Sequence, residues 1–225
     1  MKLLQCPPRQ ISRRTFDIVL AGTSFVVMGP LFAGVAAAIW WTDGTPILFR
    51  HTRVGLKGRL FRLCKFRTMI PDAESKGPAI TIAADRRVTQ TGRWLRRYKL
   101  DELPQLWNVL VGDMSMVGAR PETPCFVDTA DTRWTELLSA RPGLTDPATL
   151  AFRDEEALLA GQEDQEQFYR ESVLPAKLDL SLKYQQTRTL LTDTRVLALT
   201  LLSCLRPGAT ASPGLVDRIP RETSP

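Results

Sequence analysis

The feature that most constrains this chain is an uncharged run of 25 residues, at positions 18–42, near its start. As a continuous α-helix the run would be about 37 Å long, enough to cross the hydrocarbon core of a bilayer. The stretch of 17 residues before the run is long for the n-region of a signal peptide, so the run does not resemble an ordinary signal peptide. The sequence therefore predicts that residues 1–45 form a membrane segment with a basic flank.

Two membrane arrangements are compatible with the charges and the proline around this run. Lys and Arg residues flank both of its ends, whereas a single span would place most of them on the cytoplasmic side only. Pro30 lacks a backbone N–H and disfavours helical geometry at Gly29, so a helix can break there. One arrangement is a re-entrant helix-break-helix that enters one leaflet and returns. The other is a kinked spanning helix, which hydropathy alone favours.

The charge distribution and the scarcity of certain residue types narrow the chemistry. Between positions 44 and 100, fourteen Lys and Arg residues stand against three acidic residues. Such a field indicates an anionic partner, which could be nucleic acid, anionic lipid or a phosphorylated substrate. The four cysteines are far apart and the only histidine is His51, so neither a zinc site nor a disulfide framework nor a Ser-His-Asp site is indicated. Carboxylates remain as the candidate catalytic groups.

The strongest candidate is the adjacent carboxylate pair Asp101 and Glu102. Apolar residues at 103, 106, 107 and 110 have helical spacing, and Pro104 suits a first helical turn. The pair is therefore predicted to lie at the positive, N-terminal end of a helix that stops at Gly112. Six Lys and Arg residues in the preceding stretch, positions 86–99, would lie close to it. At this point a plain helix cap remains the alternative role for Asp101.

Beyond the apolar segment, residues 46–205 are numerous enough for one domain with its own core, and residues 206–225 read as a flexible tail. Two β-prone runs on either side of Gly55 and Gly58 predict a hairpin. Helical patterns fall at 92–99, 122–139, 154–159, 165–174 before Pro175, and 177–191. The apolar run 196–205 is either a core helix or an interfacial one. The predicted fold class is α+β and mainly helical, with interfacial helices around the active site.

An ordered set of motifs from position 13 to about 146 resembles the bacterial sugar transferases, the small monotopic phosphoglycosyltransferases. The motifs are Arg13-Arg14-x-Phe16-Asp17, Pro46-Ile47-Leu48-Phe49-Arg50, Arg53-Val54-Gly55, Lys65-Phe66-Arg67-Thr68-Met69, Asp85-Arg86-Arg87-Val88-Thr89, Leu95-Arg96, Leu100-Asp101-Glu102-Leu103-Pro104-Gln105, Asn108-Val109-Leu110, Gly112-Asp113-Met114-Ser115, Val117-Gly118, Arg120-Pro121 and Pro142-Gly143-Leu144-Thr145. So long an ordered series is a specific signal.

The resemblance implies an enzyme that transfers a sugar 1-phosphate from a UDP-sugar to polyprenyl phosphate, typically undecaprenyl phosphate, and releases UMP. This is the first membrane step of glycoconjugate or exopolysaccharide synthesis. The family's nucleophile falls on Asp101, which takes up the phosphosugar covalently, and Mg²⁺ is expected at Asp101 and Glu102. The resemblance also implies that the apolar segment is re-entrant, with its break at Pro30. The protein would then occupy one leaflet of the bacterial inner (cytoplasmic) membrane, with its catalytic domain facing the cytoplasm.

Nine further residues are predicted to bind the substrate phosphates or the nucleotide. They are Lys65, Arg67, Arg87, Arg96, Gln105, Asn108, Asp113, Arg120 and Pro121. The cationic members suit phosphate, and Arg87, Arg96 and Arg120 are the first candidates for a clamp. Each could instead be a structural ion-pair partner. Three positions depart from the family pattern. Ala119 precedes Arg120 where proline is usual, Asp146 follows Thr145 where many relatives have glycine, and Lys99 precedes Leu-Asp-Glu where a small hydroxyl residue is common.

Two rival hypotheses remain open from the sequence. One is a non-catalytic, membrane-anchored binder of anionic lipid or nucleic acid, which would not need Asp101. The other is a direct transferase that brings donor and acceptor together without a covalent intermediate. For the transferase we expect UDP-sugar, polyprenyl phosphate and the membrane as partners and no nucleic acid, and a homo-oligomer is left open.

Overall fold

The structure, a computed structural model, describes residues 8–77, 80–82 and 85–206. In this part of the chain the fold is mainly helical with a small antiparallel β-hairpin, as predicted. The helices are α1 Pro8–Val27, α2 Gly29–Asp43, α3 Gln90–Arg97, α4 Gln105–Val111, α5 Thr132–Leu137, α6 Pro147–Ala151, α7 Glu155–Ala160, α8 Gln165–Phe168, α9 Leu174–Thr187 and α10 Leu190–Leu205. The strands are β1 Leu48–Val54, β2 Leu60–Phe66, β3 Ser115–Val117 and β4 Gly143–Thr145. Most of the predicted tail, residues 207–225, lies outside the described residues.

Helices α1 and α2 form the predicted helix-break-helix. Helix α1 ends at Val27 and α2 begins at Gly29, so Pro30 falls in the first turn of α2, where a missing N–H is tolerated. The two axes meet at 59°. Among the described helices none is by itself long and apolar enough to cross a membrane, and this bent pair is the one combination whose length and composition would allow it. The predicted break is confirmed, and both predicted membrane arrangements contain it.

Helix α1 also belongs to the core of the remaining domain. Ala21 packs with Leu106 and Val109 of α4 in one buried cluster. The buried Asp17 carboxylate accepts hydrogen bonds from Ser115 Oγ at 2.8 Å and from the Met116 amide at 3.0 Å. Helix α1 is therefore fixed to β3 and α4 rather than attached as a separate anchor.

The predicted hairpin is present. Strands β1 and β2 pair in antiparallel register from Leu48 opposite Phe66 to Val54 opposite Leu60. The turn requires positive φ at Lys57 (56°) and Gly58 (75°), which explains the glycine. Phe66 is buried with Ile39 of α2 and Leu95 of α3, so the hairpin connects the bent helix pair to the helix that precedes the acidic pair.

A second, parallel pair of strands was not predicted. Strand β3 pairs with β4, Ser115 opposite Gly143 and Val117 opposite Thr145. A Cβ at Gly143 would lie 2.1 Å from the Gly118 nitrogen, so this crossing requires glycine at that position. Each strand has three residues, too few for an alternating pattern, and the flanking Gly and Pro indicate turns instead. The loop that leaves β3 carries Arg120.

In the C-terminal half one helix prediction was wrong, and two others had the wrong ends. The expected helix at 122–139 is reduced to a 3₁₀ turn, Pro124–Phe126, and to α5, which starts only after Asp131 caps it. Pro175 does not end a helix, because the wide π turn Tyr169–Val173 joins α8 to α9 and the proline enters the first turn of α9. The helix predicted at 177–191 stops at Thr187, and a capping box of Thr189 and Thr192 starts α10.

The apolar run predicted at 196–205 lies in α10, which has one buried face and one exposed face. On α10, Val196 is buried in the central cluster, whereas Leu199, Leu202 and Leu205 are more than half exposed. The helix therefore packs through one face and leaves an apolar face uncovered in this chain.

Candidate active site

Asp101 lies in a single 3₁₀ turn, Leu100–Glu102, between α3 and α4. Lys99, with φ of 56°, reverses the chain before this turn. Asp101 is 7 % exposed, and its buried Oδ1 has no hydrogen-bond partner among the described residues. The cap interpretation is wrong, because Pro104 occupies the N-cap of α4 and no side chain caps that helix. The Asp101 carboxylate is therefore buried without capping α4.

The electrostatics of Asp101 combine burial with nearby cations. Burial raises the pKa of the Asp101 carboxyl, and the adjacent Glu102 charge raises it further. The ammonium of Lys65 is the strongest opposing charge. In turn, burial lowers the pKa of Lys65 to about 8, against the attraction of Asp101. A poorly solvated carboxylate beside cations is an arrangement suited to a nucleophile that meets an anionic phosphate.

Glu102 is held in a different way from its neighbour. Arg120 donates two hydrogen bonds to it, from Nη1 to Oε2 and from Nη2 to Oε1, each at 2.7 Å. Burial raises the pKa of the Glu102 carboxyl, but the Arg120 charge and these bonds more than offset it and bring it to about 2. Glu102 is therefore ionised at neutral pH, and the bidentate pair fixes the loop after β3 beside the acidic turn.

These residues line one cavity of about 490 Å³, a size typical of small-molecule sites. Six of the predicted site residues line it. They are Asp101, Glu102, Lys65, Arg96, Arg120 and Pro121. The predicted helix before the acidic pair, α3, supplies Arg96, whose Nε donates to Thr68 Oγ1 at 3.0 Å. The other end of the cavity is apolar and is formed by side chains of α1, α4 and α10.

A second ionic cluster in the same cavity was not predicted. Tyr169 donates its hydroxyl to Glu122 Oε1 at 2.7 Å, and Lys177 Nζ lies 2.9 Å from Glu155 Oε2 and 3.3 Å from Glu122 Oε1. Burial raises the pKa of Glu122, but the charges of Lys177 and Arg53 outweigh it and lower that pKa overall. Glu122 directly follows the predicted site residue Pro121, and this position could have indicated that it belongs to the site. Tyr169 and Lys177 lie in ordinary helical patterns, and no sequence signal marks them as site residues.

Two predicted phosphate-binding arginines do not line this cavity. Arg67 is buried, and its Nη2 donates to the carbonyls of Asp43 and Gly44 at the end of α2. Arg87 is buried against Asp85, with Nη2 2.7 Å from Oδ2, and donates to the Ala73 carbonyl at 3.0 Å. For both residues the structure agrees with the ion-pair or scaffold alternative rather than with a phosphate clamp.

The predicted residues Gln105, Asn108 and Asp113 also lie outside the cavity. Asn108 accepts from the Cys64 amide at 2.9 Å and donates to the Arg62 carbonyl at 2.9 Å and to Asp113 Oδ2 at 3.2 Å. It thus joins α4 to β2 and positions the helix that follows the acidic pair. Gln105 is 1 % exposed and packs in the same interior.

Two of the residues that depart from the family pattern, Asp146 and Ala119, have structural roles. Asp146 is fully buried, caps α6 by accepting from the Thr149 amide at 2.7 Å, and accepts a short hydrogen bond from Ser181 Oγ of α9. It therefore holds two helices together on the far side of the cavity. Ala119 packs against the cluster around Trp134, and its carbonyl accepts from the Gly143 amide at 2.8 Å.

A magnesium site was predicted at Asp101 and Glu102. No group of three or more His, Cys, Asp or Glu side chains that could hold a metal occurs in the described part of the chain. Mg²⁺ often binds through one or two carboxylates and completes its shell with substrate phosphates and water. The unpartnered Asp101 Oδ1 suits that role, whereas both oxygens of Glu102 already accept from Arg120.

Comparison with known proteins gives a consistent result. A family model described as bacterial sugar transferase matches residues 8–207. The UDP-glucose:undecaprenyl-phosphate glucose-1-phosphate transferase of Caulobacter vibrioides is 36% identical over 200 residues, which cover 87% of this chain and 70% of that protein.

Two further relatives are matched over part of their length. The UDP-N-acetylgalactosamine-undecaprenyl-phosphate N-acetylgalactosaminephosphotransferase of Aeromonas hydrophila is 40% identical over 129 residues, 57% of this chain and 30% of that protein. The exopolysaccharide production protein ExoY of Sinorhizobium fredii is 36% identical over 150 residues, 60% of this chain and 66% of that protein. The chain therefore spans less than two thirds of the length of both proteins.

Proposed function

The chain belongs to the bacterial sugar transferase family, and on that basis we propose that it transfers a sugar 1-phosphate from a UDP-sugar to undecaprenyl phosphate and releases UMP. The names of the Caulobacter and Aeromonas relatives support this reaction. The observation that carries the proposal is the state of Asp101, a buried carboxylate with an unpartnered oxygen in a cavity lined by cations.

The donor is proposed as a UDP-sugar without further definition of the sugar. The names of the two relatives give glucose and N-acetylgalactosamine, so they share the nucleotide and the lipid but not the sugar. The name of the Sinorhizobium relative supports a role in exopolysaccharide production. The cavity residues argue for the shared part of the donor, because Lys65, Arg96 and Arg120 offer cations to a diphosphate.

In the first step, a carboxylate oxygen of Asp101 attacks the β-phosphorus of the UDP-sugar. The new bond joins Asp101 to the phosphosugar, and the bond from that phosphorus to the bridging oxygen breaks, so UMP leaves with its electron pair. Lys65 and Arg120 neutralise the phosphoryl oxygens during the transfer. Glu102 keeps Arg120 in place through the two bonds of 2.7 Å.

In the second step, a phosphate oxygen of undecaprenyl phosphate attacks the phosphorus held on Asp101. The acyl phosphate bond breaks, the Asp101 carboxylate is restored, and the sugar leaves on a lipid diphosphate. Splitting the transfer in this way requires one carboxylate that can face both substrates in turn. Asp101 meets this requirement, since it lines one cavity together with both the cationic and the apolar side chains.

We propose Asp101 as the protein ligand of Mg²⁺, together with donor phosphate oxygens and water. When bound, Mg²⁺ supplies positive charge to the diphosphate. Glu102 is assigned to Arg120 rather than to the metal, because both of its oxygens accept from that guanidinium.

We further propose that the bent helix pair is a re-entrant anchor in the inner leaflet of the bacterial inner membrane, with the catalytic domain on the cytoplasmic side. The 59° bend and the many exposed apolar side chains of α1 and α2, such as Val26, Val27 and Trp41, support insertion into lipid. The burial of Asp17 and Ala21 against the catalytic domain supports a pair that stays close to that domain.

The test is release of UMP from a panel of UDP-sugars by the protein in lipid discs that contain undecaprenyl phosphate. Asp101→Asn is expected to reduce release by about 1,000-fold or more, because amide nitrogen and oxygen are poor nucleophiles. Asp113→Asn is the matched control, since Asp113 lies outside the cavity. UMP release that Asp101→Asn leaves intact, or no release from any UDP-sugar, would contradict the proposal.

A further inference from the structure

The apolar end of the cavity has no counterpart in a UDP-sugar. A nucleotide sugar is polar or charged along its whole length, whereas this wall consists of leucine, methionine and other weakly polar side chains. On α10 the wall is formed by Leu197, Leu201 and Cys204, whose spacing of four and three residues places them on one helical face. Thr200 and Ser203 also line the cavity, but their hydroxyls donate to backbone carbonyls of α10. A second ligand with an apolar body is needed to match this surface.

Helix α1 supplies the opposite side of this wall. Leu20 and Ser24, four residues apart, line the cavity together with Met28 at the helix break. The next residues along α1, Val26 and Val27, are more than 70 % exposed. The apolar wall therefore follows α1 toward the surface that we propose to lie in lipid, and it shares one cavity with Asp101.

The cavity also contains a cation close to this wall. Arg153 lines the cavity, and its buried Nη1 has no hydrogen-bond partner among the residues that the structure describes. Lys99 lines the same cavity, and the charges of Arg153 and Lys99 both act on the Cys204 thiol of α10. A buried guanidinium nitrogen without an acceptor is costly unless a ligand supplies one, and phosphate oxygens fit it well.

From this juxtaposition we infer that the cleft between α1 and α10 binds the acceptor lipid, with its isoprenoid chain along Leu197, Leu201 and Met28 and its phosphate at Arg153. This inference rests on the proposed function for the identity of the lipid. It places the acceptor on the membrane side of Asp101 and leaves Lys65, Arg96 and Arg120 for the donor diphosphate. The two substrates can then reach one carboxylate from opposite ends of the cavity.

The first test measures binding and does not depend on activity. A photoreactive benzoylphenylalanine is placed at position 201 or 202 of the full chain in lipid discs that contain radiolabelled undecaprenyl phosphate. Leu201 and Leu202 are adjacent, 57 % and 53 % exposed, but only Leu201 lines the cavity. We expect crosslinking at 201 that excess unlabelled undecaprenyl phosphate suppresses, and little at 202. Equal crosslinking at both positions, or crosslinking that the competitor does not reduce, would overturn the inference.

The second test separates the acceptor from the donor. Leu201→Gln should raise KM for undecaprenyl phosphate about tenfold, the loss expected when one leucine contact with an apolar chain is removed. Leu202→Gln should have little effect, and both variants should keep the wild-type KM for the UDP-sugar and the single-turnover release of UMP without acceptor. Equal acceptor KM values for the two variants would refute the inference while leaving the proposed reaction standing. Failure of the wild type to release UMP would instead refute the proposed function, with the crosslinking result still deciding the lipid site.

Discussion

At the scale of single residues, two adjacent carboxylates are made different by their surroundings. Glu102 accepts two hydrogen bonds from Arg120, which keep its pKa at about 2. Asp101 is buried with one oxygen unpartnered among the described residues, and burial raises its pKa. The first is an anchor for an arginine and the second is available to a substrate, so we assign positioning to Glu102 and nucleophilic attack to Asp101.

The bidentate pair of Arg120 and Glu102 predicts that Arg120→Lys lowers the activity. Lysine keeps the charge but cannot donate to both carboxylate oxygens in parallel, so the loop after β3 and the donor phosphates are held less well. We expect kcat/KM for the UDP-sugar to fall roughly 10- to 100-fold. Arg133→Lys is the control, because Arg133 also pairs with a carboxylate, that of Asp131, but lies outside the cavity. Equal activities for the two variants would contradict the assigned role.

The buried cluster around Glu122 predicts a pH-dependent loss of stability in Glu122→Gln. The folded-state pKa of Glu122 is lowered, so its contribution is present above the ordinary value of 4.5 and is lost as pH falls through the folded-state pKa. We expect Glu122→Gln to reduce the free energy of unfolding at pH 7 by about 2–4 kcal/mol, because Lys177 loses a buried partner. The difference from wild type should shrink as pH falls below 4.5, as measured by denaturant unfolding. A difference independent of pH, or one matched by the exposed control Glu163→Gln, would count against it.

Part of this site could be predicted from the residues alone. The acidic pair and the cations Lys65, Arg96 and Arg120 stand in compact, charged motifs, and the structure brings all of them to one cavity. Arg67 and Arg87 carry the same charge, but sequence cannot tell a guanidinium that faces a cavity from one that donates to nearby carbonyls. The contacts of Tyr169 and Lys177 could not be foreseen, because they depend on how the π turn and α9 pack against Glu122, which is 47 and 55 residues earlier in the chain.

At the scale of elements, the sequence predicted those turns and helix ends that depend on residues close together in the chain. The hairpin follows from two β-prone runs around Gly55 and Gly58, and the end of α4 follows from Gly112, which has φ of 99°. Pairing of β3 with β4 depends on a crossing of Gly118 and Gly143 that no local pattern shows. Helix α8 continues into α9 through a π turn, whereas Pro175 indicated that a helix ends there.

The bent helix pair leads to a prediction about topology. A re-entrant pair returns to the side it entered from, so residues before α1's apolar stretch and residues of the hairpin should share one compartment. Cysteines at positions 12 and 59, in a background without the native cysteines, should both be labelled by an impermeant reagent only when the cytoplasmic face is open. Labelling of the two positions from opposite faces would show a kinked spanning helix instead.

At the scale of the whole molecule, the bent helix pair and the candidate active site form one structural unit. Ala21 of α1 packs with Leu106 beside the acidic turn, and Ile39 of α2 packs with Phe66 of the hairpin. The depth at which α1 enters the bilayer would therefore fix the height of Asp101 relative to the lipid surface. The sequence predicted a domain boundary at position 45, because the apolar run and the charged domain differ in composition. Their side chains nevertheless share one core.

In the proposed reaction Asp101 carries the phosphosugar between the two substrates. The most direct measurement is to mix the protein in discs with a UDP-sugar but no undecaprenyl phosphate, quench with acid, and determine by mass spectrometry which peptide gains the phosphosugar. We predict that the peptide containing Asp101 gains this mass, that Asp101→Asn abolishes it, and that later addition of undecaprenyl phosphate removes it. A wild-type protein that turns over with acceptor present but never gains the mass, or gains it on another residue, would contradict the account.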